Sequence, residues 1–141
     1  MNKFKFLLVK YLTIFSKILP LSLLAFNIQA ACTNIDCANV SDTTWTFIQS
    51  TYCNNPCVAN INSTFDNTHC TSKQTMIDLC NVIVSDANCS ETSLRGGRIL
   101  GSATVTNDLG SLANNNCAAT KKGSILYNSV VNQVITMFPG P

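Results

Sequence analysis

Apolar residues fall along this chain in blocks that have different periods. From Phe6 to Ile28 they are nearly continuous, broken only by a few polar residues such as Lys10 and Lys17, and by Pro20. Trp45, Phe47, Ile48 and Tyr52 form a short island in a polar, loop-rich stretch. Trp45, Ile48 and Tyr52 share a helical face while Trp45 and Phe47 alternate as in a strand; the preferred reading is a short helix. Met76, Cys80, Ile83 and Ala87 recur at spacings of four, three and four, with Leu79 beside them, which predicts an amphipathic helix capped by Ser72 with Cys80 facing the core.

Further along, Arg95-Gly96-Gly97-Arg98 precedes a run in which Gly101, Ala103 and Val105 alternate with polar residues. Paired glycines accept positive φ without a steric cost, so this region predicts a β-hairpin near residues 94–106. An anion site between Arg95 and Arg98 is the competing reading, and no second anion-binding element accompanies it. Tyr127, Val130, Val131, Val134 and Phe138 fall at i, i+3, i+4, i+7 and i+11, with Asn128, Asn132, Gln133 and Thr136 opposite. That pattern predicts an amphipathic helix over 124–138, stopped by Pro139-Gly140-Pro141, with a strand as the alternative because so many residues are β-branched. The expected fold is therefore mainly α, with a small α+β fold as the alternative: two to three helices and one hairpin.

The first block has the parts of a signal peptide. A basic start (Lys3, Lys5, Lys10, Lys17) leads to an apolar stretch from Ile18 to Phe26 and then to the small residues Ala30 and Ala31. Cleavage after Ala30 is expected. A membrane span from Phe6 to Ile28 would bury Lys10 and Lys17 at a cost of about 2.5–3.5 kcal/mol each near a helix centre. Residues 31–141 then form a single disulfide-rich domain. Gln29-Ala30-Ala31-Cys32 also admits acylation of Cys32, but Gln29 fits a lipobox poorly and acylation would leave an odd number of thiols.

Removing the first 30 residues reverses the charge balance. They hold four of the nine Lys and Arg and none of the seven Asp and Glu, so residues 31–141 carry a net charge of −2. The remaining cations, Lys73, Arg95, Arg98, Lys121 and Lys122, are scattered, which argues against nucleic acid as a partner. The eight cysteines are Cys32, Cys37, Cys53, Cys57, Cys70, Cys80, Cys89 and Cys117. Behind an export signal an even set implies four disulfides, among about 105 connectivities that the sequence does not distinguish. Sequons at Asn39, Asn62 and Asn88 need no functional explanation, because the abundance of Asn, Ser and Thr alone generates about three.

Candidate chemistry is sparse. His69 is the only histidine and Glu91 the only glutamate. A catalytic site would have to combine His69 with Asp66 or Asp78 and a serine, and no nucleophile-elbow pattern supports one. A glycosidase pair would have to join Glu91 to one of six aspartates whose spacing does not select a partner. Cys53, Cys57, His69 and Cys70 are zinc-ligand types in the wrong spacing, and Cys53 and Cys57 miss the spacing of thiol oxidoreductases. No catalytic residue, cofactor or metal is assigned. The expectation is an exported, secreted or periplasmic, non-enzymatic protein that acts through protein–protein interaction, as an envelope assembly component or a released target-binding protein. Its candidate partner face is Tyr127, Val130, Val131, Val134 and Phe138, with no transmembrane segment after cleavage. The alternative is a small secreted hydrolase built around His69.

Overall fold

The computed structural model describes residues 32–140. The expected signal peptide, its cleavage point and the rival membrane span lie outside those residues. Two short α-helices, α1 (Asp42–Ile48) and α2 (Lys73–Ser85), accompany seven strands: β1 (Thr64–Phe65), β2 (Ser90–Leu94), β3 (Arg98–Thr104), β4 (Gly110–Leu112), β5 (Ala118–Thr120), β6 (Lys122–Asn128) and β7 (Gln133–Pro139). All pairings are antiparallel. The strands form a four-stranded sheet in the order β2-β3-β6-β7 and a three-stranded sheet in the order β1-β4-β5. The protein is thus mostly β, and the expectation of a mainly helical fold is overturned.

The error lies chiefly in residues 124–138, which form the β6–β7 hairpin and not a helix. Asn128 and Asn132, read as the polar face of a helix, instead shape the turn. The Asn128 side chain accepts hydrogen bonds from the Val130 and Val131 amides, and Asn132 adopts φ +53°. Ile125, Val134, Ile135 and Thr136 are β-branched, and in a strand their stiff side chains pack without the crowding they meet on a helix. The full register between β3 and β6, from Arg98↔Asn128 to Thr104↔Lys122, satisfies backbone groups that a helix would have satisfied internally.

Local signals succeed where they are short-ranged. Ser41 caps α1 by accepting from the Thr44 amide. Ser72 and Thr75 form a reciprocal capping box on α2, and the buried face of that helix is Met76, Leu79, Cys80 and Ile83. Ala87, expected on that face, lies beyond the helix end and is exposed. Gly96 and Gly97 take φ +74° and +68° in the β2–β3 turn, so the hairpin near 94–106 is present.

Strand alternation decides which face of the larger sheet is covered. Gly101, Ala103 and Val105 from the third-strand region, Gly123, Ile125 and Tyr127 from β6, and Val134 and Met137 from β7 are mostly buried on one face. Ile48, Met76, Ile83 and Leu109 complete the core beneath them. Each large apolar side chain buried in this way contributes about 1.5–3 kcal/mol. In the smaller sheet β4 lies so close to β1 that a Cβ on Gly110 would come within 2.8 Å of the Phe65 Cα.

Four disulfides join Cys32 to Cys89, Cys37 to Cys80, Cys53 to Cys70 and Cys57 to Cys117. The first two strap the segment before α1 to α2 and to the turn after it, and Cys80 faces the core as its helical position requires. The other two brace the loops around the smaller sheet. The Cys32 sulfur, bonded to Cys89, leaves no thiol there for acylation. No helix among the described residues is long and apolar enough to cross a membrane.

Candidate functional site

The five residues of the predicted partner face part company in the hairpin. Tyr127 and Val134 are cross-strand neighbours buried in the core. Phe138 is half-buried and packs on Tyr52, with ring centroids 6.3 Å apart. Val130 and Val131, at the tip, remain 76% and 61% exposed. A single apolar stripe is therefore replaced by a two-residue apolar tip.

That tip is held firmly. The Ser129 amide and hydroxyl both donate to the Gly97 carbonyl, at 2.9 and 2.8 Å, which fastens the β6–β7 turn against the β2–β3 turn. The Tyr127 hydroxyl donates to Asn132 Oδ1 across the base of the loop. Leu94, 41% exposed, enters the neighbouring turn, so three aliphatic side chains face solvent at one end of the sheet. Arg95 and Arg98 stand beside them. Arg98 Nε donates to the Arg95 carbonyl at 3.1 Å, tying its guanidinium to the turn. The one ion pair among the described residues joins Lys73 to Asp42, so neither arginine has a carboxylate partner. The second hairpin brings Val130 against Gly97, in the turn that Arg95 and Arg98 flank.

The carboxylates elsewhere are largely engaged in local structure. Asp36, Asp66 and Asp86 each accept from the backbone amide two residues on, in Ala38, Thr68 and Asn88. Both Glu91 oxygens accept from Asn34. The candidate zinc set is dispersed into the Cys53–Cys70 and Cys57–Cys117 bonds, and no group of three or more His, Cys, Asp or Glu side chains converges among the described residues.

His69 lines an open cleft of about 470 Å³ whose apolar wall is Leu79, Val82, Val105 and Leu109, with Asp78 and Asp86 at its polar edge. The hydrogen bonds of His69 run through its backbone: its amide donates to the Asp66 carbonyl and its carbonyl accepts from the Thr75 hydroxyl. Asp78 accepts from Gln74. Carboxylates and hydroxyls thus share a cleft with the imidazole, but no hydrogen bond links them into a relay.

Comparison with protein-family models, with curated proteins and with solved structures finds no match for this chain.

Proposed function

We propose that this is an exported, disulfide-stapled binding protein that engages another protein through the paired hairpin tips. The observation that carries the reading is the conjunction of Leu94, Val130 and Val131, all exposed, with Arg95 and Arg98, which have no carboxylate partner among the described residues. Scattered exposed aliphatics are ordinary, whereas aliphatics gathered on one rigid edge beside guanidinium groups without a carboxylate partner fit an apolar patch rimmed with carboxylates. Arginine is suited to that role because its planar fork meets a carboxylate with two hydrogen bonds. Export is supported by the leader-like residues 1–30 and by eight cysteines that are all oxidised, a state that secreted and periplasmic compartments maintain.

A photo-crosslinking residue at Val130 in the producing cells tests the reading, with the same residue at exposed Val82 on α2 as the control. A discrete protein adduct is expected at position 130 only, and it should vanish when Arg95 and Arg98 are changed together to Glu. Equal labelling at both positions, or an adduct indifferent to that reversal, overturns the proposal.

The His69 cleft supports a second reading, a small hydrolase, because it gathers an imidazole, two carboxylates and an apolar wall. His69→Ala separates the two. Unchanged biological activity favours binding, and lost activity at unchanged thermal stability favours catalysis.

A further inference from the structure

At the other end of β7 lies a second cleft, of about 480 Å³, within the range of small-ligand sites. Its floor is aromatic. Tyr52 and Phe138 lie in contact there, and Tyr52 also meets Phe65 edge-on with centroids 6.3 Å apart. Its walls are two loops fastened to each other: the Asn60 amide donates to the Ala113 carbonyl at 2.7 Å, the Ala113 amide donates to the Ser63 hydroxyl at 3.0 Å, and the Cys57–Cys117 bond joins the chain just before the first loop to the chain just after the second. Ile61, 81% exposed, stands at the rim.

The polar groups of this cleft are all uncharged, since Asn60, Asn62, Ser63, Asn114, Thr51 and Tyr52 supply them and no Asp, Glu, Lys, Arg or His lines it. The cleft beside His69 and the groove holding Asp66 and Asp108 both carry charged groups, and the smaller uncharged groove beside Val131 has no aromatic side chain, so this cleft alone among the four pairs an aromatic floor with a neutral polar lining. Several of its hydrogen-bonding groups are also unused. Asn62 Nδ2 donates to the Pro56 carbonyl, which leaves its Oδ1 open, and Ser63 accepts from Ala113, which leaves its own proton to give. Neither the Tyr52 hydroxyl nor the Asn114 amide bonds to another described residue. A charged ligand would find no counter-charge here and would lose its hydration without return. A ligand with an apolar ring face and a belt of hydroxyls would lay the face on the Tyr52–Phe138 floor and pair its hydroxyls with the amides.

We infer that the cleft between the Asn60–Ser63 and Ala113–Asn114 loops binds a neutral saccharide unit. The site lies about 20 Å along β7 from the hairpin tips, so it does not depend on the protein-binding reading.

Saturation-transfer NMR on the disulfide-intact protein, with lactose, maltose and cellobiose as probes and with acetate and ethylammonium as charged controls, tests the inference. At least one disaccharide should receive saturation and shift the Ser63 and Asn114 amide resonances, while the charged probes do neither. Tyr52→Phe keeps the ring and removes a hydroxyl that supports nothing in the fold; it should raise Kd about 3- to 10-fold, the value of one neutral hydrogen bond. Absence of transfer to every disaccharide, transfer without shifts in these loops, or a Kd unaltered by Tyr52→Phe overturns the assignment.

Discussion

The Thr44 hydroxyl on α1 donates to the carbonyl of Val134 on β7 at 2.9 Å, joining two buried residues 90 positions apart. The Ser41 hydroxyl donates in turn to Thr44 Oγ1, so a chain of two hydrogen bonds runs from the capping residue of α1 to the edge of the larger sheet. The neighbouring bond from the Val134 amide to the Asn39 carbonyl completes the cover over that edge. Strand β2, at the opposite edge, has no such cover and is largely exposed.

Thr44→Val keeps the shape of the side chain but leaves the buried Val134 carbonyl without its partner. A loss of about 1–3 kcal/mol in unfolding free energy is expected by urea titration, and Thr44→Ser should restore most of it. Equal stability of the Val variant would mean that the hydroxyl contributes nothing net.

The covalent framework should dominate stability. By the loop-closure argument, removing Cys37–Cys80, with a sequence separation of 43, costs about 4 kcal/mol. Removing Cys53–Cys70, with a separation of 17, costs about 3 kcal/mol. Paired Cys→Ala variants followed by thermal unfolding check the order, and thiol titration of the denatured, unreduced protein should find no free cysteine.

Val130 and Val134 are neighbours in sequence and opposites in environment. Val134→Asp buries an unpaired carboxylate and should cost roughly 3–5 kcal/mol, enough to unfold much of the protein. Val130→Asp, at the solvent-facing tip, should leave the melting temperature within a few degrees of the parent while repelling a carboxylate-rimmed partner. If both variants unfold alike, the tip is not a free surface.

Acid dependence should carry a small signature of Asp42. The Lys73 ammonium, 2.5 Å from its Oδ1, holds this carboxyl below its ordinary range through the hydrogen bond and the charge. Because the folded value lies below the unfolded one, the pair stabilises above about pH 4 and loses that contribution as pH falls through the folded value. Both groups are solvated enough that added salt should suppress the effect. Melting temperature against pH for Asp42→Asn should therefore show a flatter acid limb than the parent, with the difference erased at high salt.

The elements legible in the sequence are those fixed by contacts within a few residues. Ser72 finds the Thr75 amide one turn away, Met76, Leu79, Cys80 and Ile83 announce one face of α2, and two adjacent glycines supply the positive φ of the β2–β3 turn. The oxidised state of the cysteines was legible too, because their even number and the leader-like pattern of residues 1–30 both point to it. What misled was residues 124–138, where the period of Tyr127, Val130, Val131, Val134 and Phe138 fits a helix as well as it fits chance. The turn residues Asn128 and Asn132 and the β-branched run pointed to a hairpin, but only hydrogen bonding to β3 gave that alternative its advantage. Tertiary structure likewise decided which cysteines meet, which valines face water, and that Tyr52 and Phe138, 86 positions apart, share the floor of an uncharged cleft. Such pairings are set by strand register and core packing between distant segments, and local chemistry carries no record of which distant segment a residue will meet.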